Sequence, residues 1–225
     1  MANTETTINA VINPENNETP IDIEKTIKAL ERNKFVVHYF ETGTEAVTYL
    51  KNRIQNKCVA IGDSRTLLEI GVHDALSEVN EDITDIQRPL PSESFRDTAL
   101  RTMGRDVFLT SVNALAQTGE MINIDGTGYR IAASLFGSQE VFFVLGINKI
   151  TPDLASAIYR ARNVAAPLNS KKNKKSSLNP CATLEEKCYD CGSPDRICNA
   201  LTIYYKKMRN MQTMEVIIIN ESLGF

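Results

Sequence analysis

The order of apolar and polar positions predicts helices and strands that alternate along the chain. From residue 21 onward, apolar residues recur at helical spacing, at Ile23, Ile27 and Leu30, with charged residues between them. Short apolar runs, which are typical of buried strands, separate such stretches. This alternation is typical of βαβ units, so we predict an α/β fold with a mainly parallel sheet flanked by helices. The first predicted elements are a helix capped by Asp22, a strand at 35–40, a helix at 44–54 and a strand at Cys58–Ile61.

The later part of the chain continues the alternation. The stretch at 140–146 is strongly apolar and predicts a buried strand. A helix is expected at 152–164, because Leu154, Ile158 and Ala161 share one face. The other predicted elements are helices at 67–76, 93–103 and 131–136 and strands at 107–111, 120–124, 201–206 and 214–220, the last two returning to the main sheet.

Composition divides the chain into an arm, a domain and a small lobe. Residues 1–20 are rich in Asn, Thr and Glu and lack periodicity, which predicts a disordered arm or a strand that docks elsewhere. Residues 21–225 are predicted to form one α/β domain, and its segment 178–200, which contains most of the cysteines, is predicted to be a small C-terminal lobe. A basic, serine-containing stretch at 170–177 predicts a solvated linker to this lobe.

Composition and charge exclude several classes of protein. The 225 residues are 42% hydrophobic and 24% charged, which is typical of a soluble globular protein. Lys and Arg total 25 against 28 Asp and Glu, so the net charge of −3 argues against a general nucleic-acid binder. The longest apolar runs, at 141–147 and 216–219, fall short of the ~20 residues that span a bilayer. Residues 1–20 lack the features of a secretory signal. We therefore expect a cytoplasmic protein with no membrane or nucleic-acid partner, and a homo-oligomer is possible.

Four of the five cysteines form the pattern C-x6-C-x2-C-x6-C, at Cys181, Cys188, Cys191 and Cys198. Cytosolic thiols stay reduced, so clustered cysteines indicate a metal site before they indicate disulfides. Four thiolates complete a tetrahedral zinc site or hold the corners of a [4Fe–4S] cluster, and the spacing alone supports both. The fifth cysteine, Cys58, is predicted to be a small buried hydrophobic residue.

The residues around these cysteines suit a metal-binding turn. Gly192 gives the turn freedom, and Pro180 and Pro194 stiffen the approaches to the first and last cysteines. Lys187 and Arg196 are placed to offset the charge of four thiolates. Two other interpretations stay open: a redox disulfide, or a metal that replaces the missing hydrophobic core of a loop-rich lobe.

A glycine-containing loop at 62–66 follows a predicted strand and precedes a predicted helix. Backbone amides at such a helix start, together with hydroxyl and guanidinium groups, favour an anion such as phosphate or carboxylate. The alternative is a helix capped by Asp or Ser with no ligand. The residues of this loop that are predicted to bind a small anionic substrate are Gly62, Ser64, Arg65 and Thr66.

Polar residues also follow the later predicted strands. Because open α/β sheets place ligands at strand ends, we expect Asp125 and Arg130 to face the same cleft as Ser64. The alternatives are a turn with a surface Asp–Arg pair and a strand end with solvated side chains. The candidate binding residues here are Asn113, Gly126, Arg130, Asn148 and Lys149, and the candidate acid–base residues are Asp63, Glu69 and Asp125.

The two histidines, His38 and His73, are predicted to be structural or at the surface. No Ser–His or Cys–His pairing is visible in the sequence. Nucleophilic hydrolase chemistry is therefore poorly supported.

Several motifs, in the same order, resemble those of the lactate-utilisation (LUD) domain family. The sequence GDSRTLLEIG at 62–71 is similar to the family's G-x-S-x-T-x-x-E-x-G loop. Its other motifs are resembled by SVNAL at 111–115, GE at 119–120, DGTGYR at 125–130 and GINK at 146–149. Two positions depart from the family's pattern. Asp63 stands where many relatives have a small residue, and Tyr129 stands where asparagine is expected.

The resemblance implies a fold similar to that of the ribose-5-phosphate isomerase and CoA-transferase superfamily, with helices on both faces of a central sheet. It implies that the Ser64 loop corresponds to the phosphate- or acyl-binding turn of those enzymes. It also implies participation in the oxidation of lactate to pyruvate, within complexes that carry iron–sulfur clusters. That context favours a [4Fe–4S] cluster over zinc at the four cysteines.

Three functions are compatible with these features. We favour a redox or accessory electron-transfer role in 2-hydroxy acid oxidation. Redox partner subunits would supply the hydride-accepting cofactor, because the chain has no G-x-G-x-x-G element that would bind one. The first alternative is an enzyme that binds a phosphorylated sugar or an acyl-CoA, with Ser64, Thr66 and Lys149 holding the anion. The second is a binding or regulatory module in which zinc staples the C-terminal lobe.

Overall fold

The computed structural model describes residues 20–172, 178–184 and 187–225. The predicted arm, apart from Pro20, lies outside the described residues, as do positions 173–177 and 185–186. Within the described ranges, no helix is long and apolar enough to cross a membrane.

The helices and strands alternate along most of the chain, as predicted. A π-helical turn at Ala133–Gly137 extends the helix at Tyr129–Ala132, and another at Ala161–Ala165 joins the helices at Leu154–Arg160 and Ala166–Lys172. A 3-10 turn at Ile147–Lys149 follows the strand at Glu140–Gly146. The helices are α1 (Ile23–Arg32), α2 (Gly43–Arg53), α3 (Arg65–Glu69), α4 (Val72–Ser77), α5 (Phe95–Arg101), α6 (Tyr129–Ala132), α7 (Leu154–Arg160), α8 (Ala166–Lys172) and α9 (Pro180–Thr183). The strands are β1 (Val36–Phe40), β2 (Cys58–Ile61), β3 (Asp82–Asp85), β4 (Val107–Thr110), β5 (Ala114–Ala116), β6 (Met121–Asp125), β7 (Glu140–Gly146), β8 (Ile150–Thr151), β9 (Ala200–Tyr204) and β10 (Thr213–Ile219).

Local side-chain caps fix where the first helices begin. The Asp22 carboxylate accepts a hydrogen bond from the Lys25 amide at 2.9 Å, so the predicted cap of α1 is confirmed. At the start of α2, Thr42 and Glu45 form a reciprocal capping box. Each cap satisfies backbone amides that the first helical turn leaves without a partner.

Six parallel strands form the main sheet, in the order β1-β10-β7-β4-β2-β3. Neighbouring residues of β7 point to opposite faces of the sheet. Phe143 belongs to the hydrophobic core on one face, together with Phe108, and Phe142 belongs to the core on the other face, together with Leu50. All seven residues of β7 are buried, which confirms the predicted burial. The prediction of an α/β fold with a mainly parallel sheet flanked by helices is confirmed.

A second sheet of four strands, in the order β8-β5-β6-β9, packs against α7. Strand β6 is antiparallel to both β5 and β9. The return of β10 to the main sheet is confirmed, but the same prediction for the strand at 201–206 is wrong, because β9 pairs with β6. Ala200 and Leu201 are exposed, which suits an edge strand of a small sheet and not the centre of a parallel one.

Three other elements differ from the predictions for local reasons. The helix expected at 67–76 is interrupted at Gly71, whose φ of 72° lies in the left-handed region. Strands β3 and β5 were not predicted, because β3 is rich in Asp and β5 is only three residues long and rich in Ala, and neither residue favours strands. Cys58 is half-buried and not buried, because it begins β2 at the end of the sheet.

The segment from 152 to 172 is more helical than predicted. Helix α7 ends at Arg160, but the π-helical turn continues it into α8 as far as Lys172. The first three residues of the predicted linker, 170–172, are therefore helical, and the rest of it lies outside the described residues. Ser170 is buried and accepts a hydrogen bond from Asn179 Nδ2 at 2.9 Å, which ties α8 to the start of the cysteine segment.

After β10 the chain crosses the carboxyl ends of the main strands. The Ile147 amide donates to the carbonyl oxygen of Glu221 at 3.2 Å, and the Leu223 amide donates to Asn148 Oδ1 at 3.1 Å. The Gly224 amide donates to a carboxylate oxygen of Glu69 at 2.7 Å. The final residues are therefore fixed against the ends of β7 and α3.

Substitution of Gly146 with alanine tests this crossing. A Cβ at Gly146 would collide with the Glu221 carbonyl oxygen and lie 2.7 Å from the Leu223 amide nitrogen. Since both are backbone atoms, we expect Gly146→Ala to lower the free energy of unfolding by about 1–3 kcal/mol, as overpacking does. Urea denaturation measures this change. In the control, Gly192→Ala, the added Cβ meets no atom within 4 Å. Equal stability of the two variants would contradict the expectation.

Candidate functional site

A cleft of about 370 Å³ lies at the carboxyl ends of β2, β4, β6 and β7. The residues that follow these strands in the sequence form its walls, and Phe225 and Lys172 add the final residue of the chain and the end of α8. The cleft therefore brings together side chains from both sheets. The predicted site residues that line it are Asp63, Ser64, Arg65, Asn113, Asp125, Gly126, Arg130 and Lys149.

The remaining predicted residues support the walls of the cleft. Thr66 is fully buried and contacts Lys149, and Asn148 holds the final residues through the Leu223 amide. Glu69 accepts hydrogen bonds from Arg65 Nε at 2.8 Å and from the Gly224 amide at 2.7 Å.

The loop at 62–66 is built around helix α3. Ser64 caps this helix, because its Oγ accepts a hydrogen bond from the Leu67 amide at 3.2 Å. The Gly62 amide donates to the Leu109 carbonyl oxygen at 2.9 Å, so it is used in the sheet. Helix α3 is only five residues long, so the positive charge for an anion must come mainly from side chains.

Lys149 is the most deeply buried cation of the cleft, with 4% of the residue's surface exposed. Its Nζ donates hydrogen bonds to Thr66 Oγ1 at 2.8 Å and to Ser111 Oγ at 3.0 Å. Among the described residues, no carboxylate forms an ion pair with it. Burial lowers the pKa of Lys149 to about 7, and the positive charges of Arg160 and Arg130 act in the same direction.

Arg160 is a second cation near Lys149, half-buried, and the sequence analysis did not identify it. Its Nε donates to the Asn148 carbonyl oxygen at 3.1 Å, and one of its terminal nitrogens donates to the Asn113 carbonyl oxygen. Burial lowers the pKa of Arg160 to about 10. No carboxylate within the described part of the chain pairs with it. It lies at the end of an alanine-rich helix, and this position carries no recognisable motif.

The Asp125 carboxylate is fully engaged in a turn. One oxygen accepts hydrogen bonds from the amides of Thr127 at 2.9 Å and Gly128 at 2.8 Å. The other accepts one from Arg130 Nε at 3.3 Å, and Arg130 also donates to the Ile124 carbonyl oxygen at 2.6 Å. Asp125 and Arg130 line the same cleft as Ser64, and their contacts with each other and with the backbone also hold their own loop.

The two positions that depart from the resembled family pattern are in contact with each other. The Asp63 amide donates to the Tyr129 hydroxyl oxygen at 2.7 Å, and Gln87 Nε2 donates to Asp63 Oδ1 at 2.7 Å. The Tyr129 ring packs edge-on against Phe95, and burial raises the pKa of its hydroxyl. The two residues that depart from the family pattern therefore lie next to each other in the lining of the cleft.

The two histidines have structural partners. His38 Nε2 is 2.8 Å from the Tyr49 hydroxyl, and His73 Nδ1 is 2.7 Å from Asp85 Oδ2. Neither histidine lines the cleft. The Asp85 pairing was not predicted, because Asp85 belongs to β3, which the sequence analysis missed.

The four clustered cysteines face one small cavity of about 20 Å³. All four are half-buried and none is in a disulfide. This cavity adjoins the cleft, since Ile197 and Ala166 line both. Within the described ranges, no group of three or more His, Cys, Asp or Glu side chains has an arrangement that could hold a metal ion. The thiols thus converge on one cavity without adopting ligand geometry.

Nitrogen–hydrogen groups surround the sulfur atoms. The Asp190 amide donates to Cys188 Sγ at 3.4 Å, with Arg162 at 3.7 Å from the same sulfur, and Arg196 Nε donates to Cys198 Sγ at 3.2 Å. Such donors stabilise thiolates, so the chemistry of this donor set fits a thiolate-bound metal or cluster. Arg196 therefore lies where a charge-balancing residue was predicted.

Two other basic residues accompany the cysteines. Lys187 lies over the Tyr189 ring at 5.4 Å. Arg162, on the π-helical turn after α7, was not identified from the sequence although it approaches Cys188.

Comparisons with known proteins identify related sequences and folds. The sequence model of a family described as the LUD domain matches residues 23–219. The crystal structure of a DUF162 family protein from Deinococcus radiodurans is similar in fold, with a TM-score of 0.52 and 13% sequence identity over 89% of this chain and 99% of that chain. No curated protein matches the chain.

The low pKa of Lys149 predicts a pH-dependent contribution to stability. The pKa is about 7 in the folded protein against an ordinary value of 10.5, so between these pH values the unfolded chain binds a proton that the folded protein does not. The free energy of unfolding therefore rises with pH between these two values. Below the lower value, Lys149 is protonated in the folded protein and the full cost of burying its charge destabilises the fold. Lys149→Met removes this pH-dependent contribution. The free energy of unfolding of the variant minus that of the wild type should therefore fall by about 1.4 kcal/mol for each unit by which the pH rises within the window.

Urea denaturation at several pH values, without added anions, measures this difference. Lys25→Met replaces an exposed lysine of α1 and serves as the control, which should follow the wild-type pH dependence. A constant difference between Lys149→Met and wild type would show that Lys149 keeps an ordinary pKa.

Proposed function

The chain belongs to the LUD domain family, and from this premise we propose that it binds a small anionic substrate in the cleft and has an accessory electron-transfer role in the oxidation of 2-hydroxy acids such as lactate. The cleft would hold the acid, and the adjoining cysteines would hold a redox centre. A partner subunit would accept the hydride or electrons.

The observation that supports the anionic substrate is the uncompensated charge of Lys149. A buried cation without a carboxylate partner is costly, and an anion that contacts it lowers that cost. Arg65, Arg130 and Lys172 also line the cleft, and the two arginines are already in ion pairs with Glu69 and Asp125. A carboxylate is small enough to enter a cleft of about 370 Å³ that Lys149 lines.

Asp63 is the best placed of the three acid–base candidates. Glu69 is paired with Arg65, and Asp125 is paired with Arg130. Asp63 forms no ion pair within the described part of the chain, and Gln87 orients one of its oxygens. We propose that the Asp63 carboxylate accepts the proton of the substrate's 2-hydroxyl group.

The four cysteines are proposed to ligate a [4Fe–4S] cluster. Cys181, Cys188, Cys191 and Cys198 would supply the thiolates, and Arg162 and Arg196 would offset their charge. A cluster of this kind, when bound, accepts or donates one electron at a time. The cysteine segment contacts the cleft directly, because the Asn199 amide donates to the Asp125 carbonyl oxygen at 3.0 Å.

One observation favours a second candidate, a structural zinc ion. The cavity of about 20 Å³ between the sulfurs has room for a single ion, whereas a four-iron cluster requires it to widen. Zinc would then fix the cysteine segment against the Asp125 loop, and the cleft would act without a redox centre of its own.

Thermal unfolding with added ligands tests the proposed substrate class. We expect lactate and pyruvate to raise the melting temperature, by an amount that corresponds to ~2.7 kcal/mol when the ligand is at about 100 times its Kd. Lys149→Met should abolish the shift, and Lys25→Met should retain it. Stabilisation by ribose 5-phosphate or an acyl-CoA, with none by lactate or pyruvate, would instead support the isomerase- or transferase-like alternative.

Metal analysis after anaerobic purification tests the cysteine site. We expect about four irons and matching sulfide per chain, with a visible absorption band from the sulfur-to-iron charge transfer. Cys188→Ser should lose the metal, and Cys58→Ser, outside the cluster, should retain it. About one zinc per chain would support the structural alternative. Full metal content in Cys188→Ser would contradict the four-thiolate assignment.

A further inference from the structure

We propose that the amine of Lys149 is a nucleophile that forms an imine with the carbonyl group of a substrate that also carries an anionic group. This inference rests on the anion-binding cleft of the proposed function and adds a covalent step at the same site. The carbonyl substrate is a 2-oxo acid or a sugar phosphate. These share a carbonyl carbon and an anionic group in one small molecule.

The hydrogen bonds of Lys149 suit a neutral amine. A neutral primary amine has two N–H groups and one lone pair, and the lysine Nζ has two acceptors, Thr66 Oγ1 at 2.8 Å and Ser111 Oγ at 3.0 Å. Thr66 in turn donates to the Leu223 carbonyl oxygen at 3.3 Å, so its own hydrogen does not compete for Nζ. Both N–H groups are therefore used, and the lone pair is left for a molecule in the cleft.

The charges around Lys149 favour the form with a lone pair. Buried lysines are usually paired with a carboxylate, which keeps the amine protonated. Here Arg160 and Arg130 oppose protonation, and only the more distant Glu69 favours it. Desolvation acts with the two arginines, so the pKa of about 7 leaves a large neutral fraction at neutral pH.

The anionic group of the substrate would be bound by the other cations of the cleft. Arg130 and Lys172 line the same walls as Lys149 but keep more exposed side chains. A carbonyl carbon held next to Nζ would then react at high effective concentration. The arginine neighbours of Lys149 do not form imines, and the other amine that lines the cleft, Lys172, is exposed and lies over the Phe225 ring at 4.5 Å.

The condensation needs no oxidant or cofactor. Nζ attacks the carbonyl carbon, the C–N bond forms, and the carbonyl π electrons move to oxygen as this oxygen takes up a proton. The resulting carbinolamine loses that oxygen as water, which carries away two hydrogens from the amine, and a C=N bond remains. The hydroxyl groups of Thr66 and Ser111, 3.5 Å apart and both in contact with Nζ, are placed to transfer these protons.

Reductive trapping of the full chain tests the imine. The protein is incubated with pyruvate, ribose 5-phosphate or lactate, reduced with cyanoborohydride, digested and mapped by mass spectrometry. We expect the secondary amine of reduced pyruvate or ribose 5-phosphate on the peptide that contains Lys149, at least ten-fold above the level on exposed Lys25 and Lys28 peptides. Lactate has no aldehyde or ketone carbonyl group and should give no adduct.

Two variants and a binding measurement separate the outcomes. Lys149→Arg keeps the charge and should lose the adduct, whereas Lys28→Arg should keep it on Lys149. Thermal stabilisation by pyruvate without an adduct on Lys149 would overturn the imine and leave the proposed function standing. Absence of both stabilisation and adduct, for every carbonyl compound, would overturn both. An adduct with ribose 5-phosphate alone would support the imine and overturn the 2-hydroxy acid assignment.

Discussion

The position of the last strand, β10, between β1 and β7 is the constraint on which the rest of the site depends. This strand pairs in parallel with both neighbours, one strand in from the β1 edge of the main sheet, so the chain leaves the sheet at the carboxyl end where β7 also ends. The residues that follow cross that edge and meet Asn148, Glu69 and Thr66. Thr66 thereby contacts the final residues on one side and Lys149 on the other. The topology of the sheet therefore determines the burial of this lysine.

Lys149 is buried among hydroxyl groups, and in the described part of the protein no carboxylate pairs with its charge. Hydroxyl oxygens accept its hydrogen bonds but supply no negative charge. Two responses are physically available: the amine loses its proton, or an anion enters the cleft. The first gives a nucleophile and the second gives a binding site. A substrate with both a carbonyl and an anionic group uses each response in turn, since the anion is held by neighbouring cations and the neutral amine reacts.

The sequence predicted those features that depend on residues close together in the chain. The cap at Asp22, the buried strand β7 and the polar loops at the strand ends follow from local patterns. Such patterns also predict most strands of the main sheet. The roles of Ser111 and Arg160 depend on contacts between distant segments. Their residue types are common at strand and helix ends, so no local signal distinguishes them. The second sheet was missed for a related reason, because β5 is too short and too rich in Ala to be recognised.

Hydrogen bonds connect the cysteine segment to the cleft. Asn199 donates through its amide to the Asp125 carbonyl oxygen and through its side chain to the Gly126 carbonyl oxygen at 2.9 Å. The turn at Asp125 in turn fixes Arg130, whose charge helps to lower the pKa of Lys149. A metal that draws the four sulfurs together would restrain this segment, since Cys198 immediately precedes Asn199. One short series of hydrogen bonds therefore links the conformation of the cysteine segment to the position of Arg130, and through it to the pKa of Lys149.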